Sequence, residues 1–291
     1  MRFVAMTRKP SKEAHPTWVL DVPLGHWAFR VGYWLSILCA SVSLCETHAA
    51  DLKPREWTVD GVRREALVYA PDTAKTKAAP LVFVWHGHGG TMRHSAFAFP
   101  FHIKWPEAIV VHPQGLPTVS AQVDPEGKQP GWQKQKGDQG DRDLRFFDVM
   151  LASLKTDYQV DGRNIFCAGY SNGGMMTFLL WSERPEAFRA FAPCACVALP
   201  AVPLNVPKPA FFLMGAADTL VKPEWMRMSV SRLKALNKCA ETGQPWEVLG
   251  GMLYPSSVNA PLVVLSHPGG HAIPPGGKTD EMVRFFKENL N

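Results

Sequence analysis

Short apolar runs alternate with amphipathic patterns from about residue 64 to the end of the chain. The runs predict an early strand at Glu65–Tyr69 and then buried strands at Leu81–Trp85, Ala108–His112, Ile165–Ala168, Ala210–Met214 and Leu262–Leu265. Apolar residues at helical spacing predict helices over Leu144–Tyr158 and Met282–Leu290. Because apolar strands separated by helices are typical of parallel sheets covered on both sides, the pattern predicts an α/β fold with a mostly parallel central sheet and helices on both faces.

One long segment, Leu116–Asp141, interrupts this alternation and is rich in Pro, Gly, Gln and charged residues. It follows the carboxyl end of a predicted strand, which is the edge of an open α/β sheet where ligands bind. Loops of this length inside a compact domain are usually functional or disordered. Trp132 lies within the segment and is a candidate to contact a substrate, whereas a solvated surface loop is the alternative that the sequence leaves open.

The first fifty residues do not follow the pattern. Arg30 precedes an apolar run, Val31–Leu44, and small residues follow up to Ala50. This order is typical of a secretory signal, and the run is short for a membrane-spanning helix. We therefore predict a signal peptide and upstream segment over residues 1–50, a single domain over 51–291, and a secreted or periplasmic location. The long stretch before Arg30 leaves the true start codon open.

Composition and charge narrow the classes of partner. The 291 residues are 46% hydrophobic and 20% charged, as in ordinary globular proteins, and the formal net charge is +5. No cluster of Lys and Arg alternates with aromatic residues, so nucleic acid is excluded as an expected partner. We expect no stable membrane anchor, and the oligomeric state stays open. In an oxidising compartment one disulfide is expected, with Cys239 joined to Cys194 or Cys196, while Cys167 suits a buried strand.

The motif Gly169-Tyr-Ser-Asn-Gly173 stands between a predicted strand and a predicted helix. A G-x-S-x-G turn in that position is the nucleophile elbow of the α/β-hydrolases, in which the glycines allow a turn sharp enough to expose the serine. A Gly-rich turn with a capping Ser is the structural alternative. The flanking pattern favours Ser171 as a nucleophile.

An activated serine needs a base and an orienting acid, and in this fold the acid and then the base follow it along the chain. Asp218 comes just after the strand at Ala210–Met214, whereas Glu224 and Asp161 follow a buried strand less closely. After the last strand, His271 stands beyond two glycines that give it reach, and His267 is the competing base. We favour Asp218 and His271.

The oxyanion hole of such an enzyme uses two backbone N–H groups. One belongs to the residue after the nucleophile, here Asn172, and the other to the loop after an earlier strand. The Gly-rich loop after Trp85 fits, with His88 as the expected donor and Gly89 as the next candidate. His-x-His can also bind zinc, but further ligands at short spacing are lacking, so neither a metal nor another cofactor is expected.

With these elements in order, the chain resembles the secreted polyhydroxybutyrate depolymerase and feruloyl esterase group, which is related to carbohydrate esterase family 1. The motifs that carry the resemblance are Val82–Gly90, His112–Gly115, Gly131-Trp132, Asp143 with Phe146-Phe147, Val160-Asp161, Gly169–Met176, Gly215–Val221 and Gly269–His271. The resemblance implies an α/β-hydrolase catalytic domain over residues 51–291 that cleaves carboxylic esters without a cofactor. It also implies Ser171 as nucleophile, Asp218 as orienting acid and His271 as base. Trp132 and Tyr170 are the residues expected to contact substrate.

The chain departs from the group after the base, where Ile273 replaces an aromatic residue that usually precedes the proline. The acyl pocket is therefore expected to differ. Since no linker or extra substrate-binding domain is visible, small or oligomeric soluble esters are expected rather than solid polymer. A serine peptidase or thioesterase on the same fold, and a non-catalytic binding module, remain the alternative functions.

Overall fold

The computed structural model describes residues 51–247 and 250–291, so the predicted signal segment lies outside the described residues. The twelve strands of this part are β1 Lys53–Val59, β2 Val62–Tyr69, β3 Ala79–Trp85, β4 Ile109–Pro113, β5 Leu116–Pro117, β6 Pro130–Gly131, β7 Val160–Tyr170, β8 Ala190–Cys194, β9 Ala210–Gly215, β10 Gln244–Pro245, β11 Gly251–Tyr254 and β12 Leu262–His267. The helices are α1 Met92–Ala98, α2 Phe101–Lys104, α3 Arg142–Asp157, α4 Asn172–Glu183, α5 Pro223–Leu236 and α6 Thr279–Glu288. Short 3₁₀ turns lie at Asp72–Lys75, Asp138–Asp141, Pro185–Ala187 and Pro275–Lys278.

Ten strands form one sheet in the order β1-β2-β4-β3-β7-β8-β9-β12-β11-β10, and β5 pairs with β6 in a separate ribbon. The six central strands, β4 to β12 in that order, run parallel, and both margins of the sheet are antiparallel. Parallel neighbours bring their carboxyl ends to one edge. The loops after β3, β7, β9 and β12 therefore meet at the same edge of the sheet.

Helices cover the sheet on both faces because successive strand residues point to opposite sides. Phe83 and Trp85 of β3 pack in one buried cluster with residues of α3, α4 and α5. Val82 and Val84 of the same strand pack in a second cluster with Phe101 and residues of α6. The predicted α/β-hydrolase fold with helices on both faces is confirmed.

The predicted strands and helices are found with shifts of a few residues at their ends, for example α3 at Arg142–Asp157. The sequence analysis missed β8, which lies between β7 and β9. Pro193 falls inside this strand opposite Gly169, and a proline within an apolar run argues against a central strand. It also missed α5, although Met226, Val230 and Leu233 follow helical spacing and are buried.

The expected disulfide is not formed. The four cysteines of the described residues are all free thiols. The sulfur of Cys196 packs against Gly174 at the start of α4, and Cys194 is fully buried beside it at the end of β8. Cys239 lies beyond α5, where its backbone pairs with Ser256.

Within residues 51–247 and 250–291, no helix combines the length and the apolar character that crossing a membrane requires.

Candidate active site

Ser171 lies in a sharp turn between β7 and α4, with φ 55° and ψ −116°. Positive φ at a non-glycine residue is strained, and this strain is a feature of the nucleophile elbow. Both flanking glycines are required by close approach. A Cβ at Gly169 would clash with the Gly173 carbonyl, and a Cβ at Gly173 would clash with the Trp85 carbonyl of β3. The Ser171 N–H donates to the Cys194 carbonyl at 2.8 Å, which ties the turn to β8.

The three residues predicted as a triad meet at the carboxyl edge of the sheet. The Oγ of Ser171 lies 2.9 Å from Nε2 of His271. The other ring nitrogen, Nδ1, lies 2.7 Å from Oδ2 of Asp218. A carboxylate on Nδ1 selects the tautomer with the proton there, so Nε2 presents its lone pair to the serine hydroxyl.

Backbone N–H groups of the same loop hold the Asp218 carboxylate in place. It follows β9 and is only 3% exposed. Its Oδ1 accepts hydrogen bonds from the N–H groups of Leu220 at 2.9 Å and Val221 at 2.8 Å, which leaves Oδ2 for the histidine. The alternative acids are placed elsewhere, since Asp161 binds the Asn164 side chain at the start of β7 and Glu224 lies in the first turn of α5.

His271 is positioned by its loop and by the residue before the nucleophile. The Tyr170 hydroxyl donates to the His271 carbonyl, and the two rings pack at a centroid distance of 5.1 Å. Burial raises the pKa of Tyr170 and the nearby Asp218 adds to the shift, so the hydroxyl stays a donor. Gly215 lets the histidine loop approach, because a Cβ there would clash with the Gly270 carbonyl.

The competing histidine, His267, ends β12 and does not join this group. Its Nδ1 accepts a hydrogen bond from the Gly269 N–H at 3.2 Å. Burial lowers its pKa, although Asp218 opposes that shift. The two glycines that follow carry His271, and not His267, to the serine.

The backbone amides expected to form an oxyanion hole lie on both sides of the serine. Asn172 is the first residue of α4, and N–H groups of the first helical turn have no partner within the helix. In the other loop the Gly89 N–H donates to the Pro130 carbonyl at 2.7 Å and the Gly90 N–H to the Gly87 carbonyl at 3.0 Å. Gly89 is therefore engaged, and among the described residues the His88 N–H has no acceptor.

His86 fixes the peptide that carries the His88 N–H, a role that the sequence analysis missed. The Gly115 N–H donates to His86 Nε2 at 2.9 Å, so the proton is on Nδ1, which donates to the Gly87 carbonyl at 2.7 Å. Burial lowers the pKa of His86 to about 4, so the ring is neutral at neutral pH. Because C=O and N–H point in opposite directions across a trans peptide, holding the Gly87 carbonyl also aims the His88 N–H.

The expected contact of Trp132 with substrate is wrong. Its indole is completely buried, packs edge-on against Trp85 at 4.8 Å, and donates Nε1–H to the His86 carbonyl at 2.8 Å. Its backbone is held by the Asn172 side chain, where Oδ1 accepts from the Trp132 N–H at 2.7 Å and Nδ2 donates to the Trp132 carbonyl at 3.0 Å. Trp132 thus joins the long loop to both backbone segments that are expected to form the oxyanion hole.

A buried ion pair anchors the same loop at its far end. Arg64 Nη2 lies 2.8 Å from Asp143 Oδ1, and both side chains are almost wholly buried. The other oxygen of Asp143 accepts the Gln133 N–H at 2.8 Å, and Gln133 Oε1 accepts the Asp143 N–H at 3.0 Å. Loss of one partner would leave a buried charge unpaired, which typically costs several kcal/mol, so residues after Trp132 are held firmly.

The loop also contacts the side chain of His88, the predicted oxyanion donor. His88 Nε2 lies 3.1 Å from Oδ2 of Asp124, in a pair that is about one-tenth exposed. The same carboxylate accepts the N–H groups of Lys128 and Gln129, and the latter bond is the main reason that the pKa of Asp124 is lowered. The segment Leu116–Asp141 is therefore hydrogen-bonded to the site, although about half of its residues are exposed to solvent.

The chain is similar in sequence and in structure to known hydrolases. The model of the prolyl oligopeptidase family matches residues 118–200, which include the elbow. The chain is 30% identical over 141 residues to feruloyl esterase D of Neurospora crassa, covering 46% of each protein. It is 25% identical over 219 residues to the bifunctional acetylxylan esterase/xylanase XynS20E of Neocallimastix patriciarum, covering 66% of this chain and 30% of that protein. The chain thus spans less than half the length of these two relatives.

Among solved structures, the acetyl xylan esterase from Aspergillus awamori superposes with a TM-score of 0.60 at 15% identity. The match covers 81% of this chain and 99% of that one, and at this identity it shows the fold. Together with the sequence matches, it confirms the resemblance to the feruloyl esterase-like α/β-hydrolases.

Proposed function

We propose that this chain is a serine hydrolase that cleaves carboxylic esters through an acyl-enzyme. The observation that carries the proposal is the continuous contact from Asp218 through His271 to Ser171, with distances of 2.7 and 2.9 Å, at a strained elbow. This order of contacts is what an activated serine requires. The similarity to feruloyl and acetylxylan esterases supports ester substrates.

In the first half of the reaction, Ser171 Oγ attacks the ester carbonyl while His271 Nε2 takes its proton. The carbonyl oxygen becomes an oxyanion that the N–H groups of His88 and Asn172 bind. The bond from the carbonyl carbon to the alcohol oxygen then breaks, and Nε2 returns its proton to that oxygen. The alcohol leaves, and the acyl group stays on Ser171.

In the second half, a water molecule attacks the acyl carbonyl and gives a proton to His271 Nε2. The same two amides bind the second oxyanion. Ser171 leaves with the proton from Nε2, and the carboxylic acid is released. Throughout, Asp218 stabilises the imidazolium that forms and keeps its ring oriented.

The proposal is tested by the rates at which the purified protein hydrolyses p-nitrophenyl acetate and butyrate, feruloyl esters and polyhydroxybutyrate films. We expect hydrolysis of at least one soluble ester that depends on Ser171, with Ser231→Ala as a control because Ser231 is exposed on α5. Absence of hydrolysis of every ester by folded protein would reject the proposal. Clearing of the films would add polyhydroxybutyrate to the substrates.

Peptide hydrolysis is a second candidate because the matched family model is that of the prolyl oligopeptidases. A triad of this geometry acts on esters and amides alike, and the pocket decides between them. Blocked peptide p-nitroanilides and thioesters, assayed beside the esters, distinguish the candidates by their kcat/KM values.

We also propose that the protein is exported and cleaved close to Ala50, on the basis of Arg30, the apolar run and the small residues that follow. N-terminal sequencing of protein recovered outside the cytoplasm should give a first residue near Asp51. Recovery of exported protein that still begins with Met1 would contradict cleavage.

A further inference from the structure

A small cavity of about 150 Å³ adjoins the nucleophile on the face of the sheet covered by α1 and α6. Its walls include Gly87 and His88 of the oxyanion loop, Tyr170 beside the serine, Ala98 and Phe99 at the end of α1, and Ile273 of the histidine loop. A Cβ on Gly87 would lie 3.5 Å from Ser171 Cβ and would press on the Tyr170 ring. Gly87 and Tyr170, which line the cavity, therefore lie directly beside Ser171.

The walls offer no charge to a ligand. None of the lining residues is Asp, Glu, Lys or Arg. The ring nitrogens of His86 are both engaged, and the Ser95 hydroxyl donates to the Val84 carbonyl at 3.1 Å. Most of the remaining surface is apolar and comes from Phe99, Ala98, Ile273 and the Tyr170 ring, beside the imidazoles of His88 and His94. Because no Lys or Arg lines the cavity, a carboxylate placed there would lose hydration without forming an ion pair with a Lys or Arg side chain.

The size of the cavity limits what it can enclose. An apolar cavity of about 150 Å³ holds a body the size of benzene, which is roughly six carbon atoms. A feruloyl group, in which a substituted ring carries a propenoyl chain, is about twice that size, so part of it would stay outside the cavity. A sugar or polymer would also be too large for the cavity to contain. The smaller end of the ester is therefore the part that enters.

The enclosed part is the acyl group. After the first half-reaction the alcohol must leave, whereas the acyl group stays bonded to Ser171 until water attacks. A pocket with walls formed by Phe99 and Ile273 suits the part that stays, because contact with its carbons keeps the carbonyl aligned with the His88 and Asn172 amides.

Resting on the proposed ester hydrolysis, we infer that this cavity is the acyl-binding pocket and that it selects uncharged acyl groups of up to about six carbon atoms. Ile273 and Ala98 set its depth. This inference separates the chain from the hydroxycinnamoyl specificity that the names of some relatives suggest.

The experiment measures kcat/KM for p-nitrophenyl esters from acetate to decanoate, with methyl ferulate and a p-nitrophenyl monosuccinate beside them. We expect good turnover from acetate to butyrate and a fall of at least about tenfold once the chain exceeds about six carbons, since a misfit in a pocket gives roughly 10–200-fold discrimination. Ferulate and succinate should be poor substrates.

Two variants change the pocket in opposite directions. Ile273→Ala should raise the octanoate-to-acetate ratio of kcat/KM about tenfold, and Ile273→Trp should lower the butyrate-to-acetate ratio by a similar factor. Ile103→Ala is the matched control, because Ile103 is 62% exposed on α2 and lies outside the cavity. Circular dichroism confirms that each variant is folded.

The outcomes separate the two proposals. Equal rates for all acyl lengths, fast ferulate hydrolysis, or Ile273 variants that change preference for the alcohol at a fixed acetyl group would overturn the acyl pocket and leave ester hydrolysis intact. Failure to hydrolyse any ester would reject the proposed function, and the pocket assignment with it.

Discussion

Ser171 is linked to Asp218 through the two ring nitrogens of His271. One nitrogen contacts Asp218 and the other contacts the serine hydroxyl, so a side chain of another shape at position 271 could not make both contacts. The nearby His267, four residues before His271 along the chain, has its own partner in the Gly269 N–H. The two histidines therefore differ in their contacts, and substitution of each should affect ester hydrolysis differently.

His271→Ala should lower kcat on p-nitrophenyl acetate by several orders of magnitude, because among the described residues only His271 hydrogen-bonds to Ser171 Oγ and can take its proton. His267→Ala should change kcat less than about threefold, since the exposed side of β12 tolerates such a change. Steady-state kinetics of the two variants make the comparison. If His267→Ala were the inactive one, the assignment of the base would be wrong.

Asp218→Asn should keep the shape of the site but reduce kcat by about 10⁴-fold. The amide cannot stabilise the imidazolium, and it favours the wrong histidine tautomer. Urea unfolding serves as the control and should show only a modest loss of stability, because Oδ1 still accepts the Leu220 and Val221 N–H groups. A variant with near wild-type kcat would require a different acid.

At the scale of elements, the long loop and the oxyanion loop form one hydrogen-bonded unit. The Asn172 side chain holds the Trp132 backbone, and the Trp132 indole holds the His86 carbonyl. Arg64 and Asp143 fix the end of the loop where α3 begins. The proposed oxyanion site is therefore held in place by contacts between protein groups.

Trp132→Phe tests this interpretation. It keeps an aromatic ring but removes the bond to the His86 carbonyl and leaves a small cavity, which together should destabilise the fold by at least about 1–3 kcal/mol. We expect the same proportional fall in kcat/KM for acetate, butyrate and longer esters, since the indole is completely buried. Trp225→Phe is the matched control because Trp225 is 43% exposed on α5. A fall in kcat/KM confined to esters with bulky acyl groups would indicate instead that Trp132 contacts the substrate.

The sequence predicts the elements whose signal is local. Apolar runs mark β3, β4, β9 and β12, and glycine spacing marks the elbow, because both depend on neighbours in the chain. It could not predict that Trp132 is buried, since that depends on Trp85 and Asn172, which lie 47 and 40 residues away. For an aromatic residue in a loop at this edge of the sheet, the local sequence pattern is the same whether the ring faces the solvent or the core.

At the scale of the whole molecule, buried neutral histidines make stability depend on pH. His112 is fully buried between the two layers, and burial lowers its pKa to about 3. The Ser95 hydroxyl donates to Val84, so His112 Nδ1–H donates to Ser95 at 2.9 Å, and Nε2 has no partner among the described residues. His86 has a pKa of about 4 for the same reason.

The unfolded chain takes up protons at these histidines near pH 6.5, but the folded chain does so only near pH 3 to 4. The unfolding free energy should therefore be greatest above pH 6.5 and fall between pH 6.5 and 4, by up to about 1.4 kcal/mol per pH unit for each histidine. Urea unfolding at pH 7.5, 6 and 5 measures the slope.

His112→Gln should reduce that slope, whatever it does to stability at pH 7.5, because glutamine does not take up the proton. Ser231→Ala is the control, since Ser231 is exposed on α5 and does not titrate, so this substitution should leave the slope unchanged. An unaltered slope in His112→Gln would contradict a buried neutral His112.

The most direct test of the whole account is the site of covalent labelling. A fluorophosphonate probe reacts with an activated serine, and peptide mass spectrometry identifies the residue. We predict one adduct, on Ser171, that forms in step with loss of ester hydrolysis. Ser171→Ala should show no adduct at that peptide and should lose about 10⁴–10⁶-fold in kcat while keeping the wild-type circular dichroism spectrum. Ester hydrolysis by Ser171→Ala at more than a few percent of the wild-type rate, or an adduct on another serine, would contradict the account.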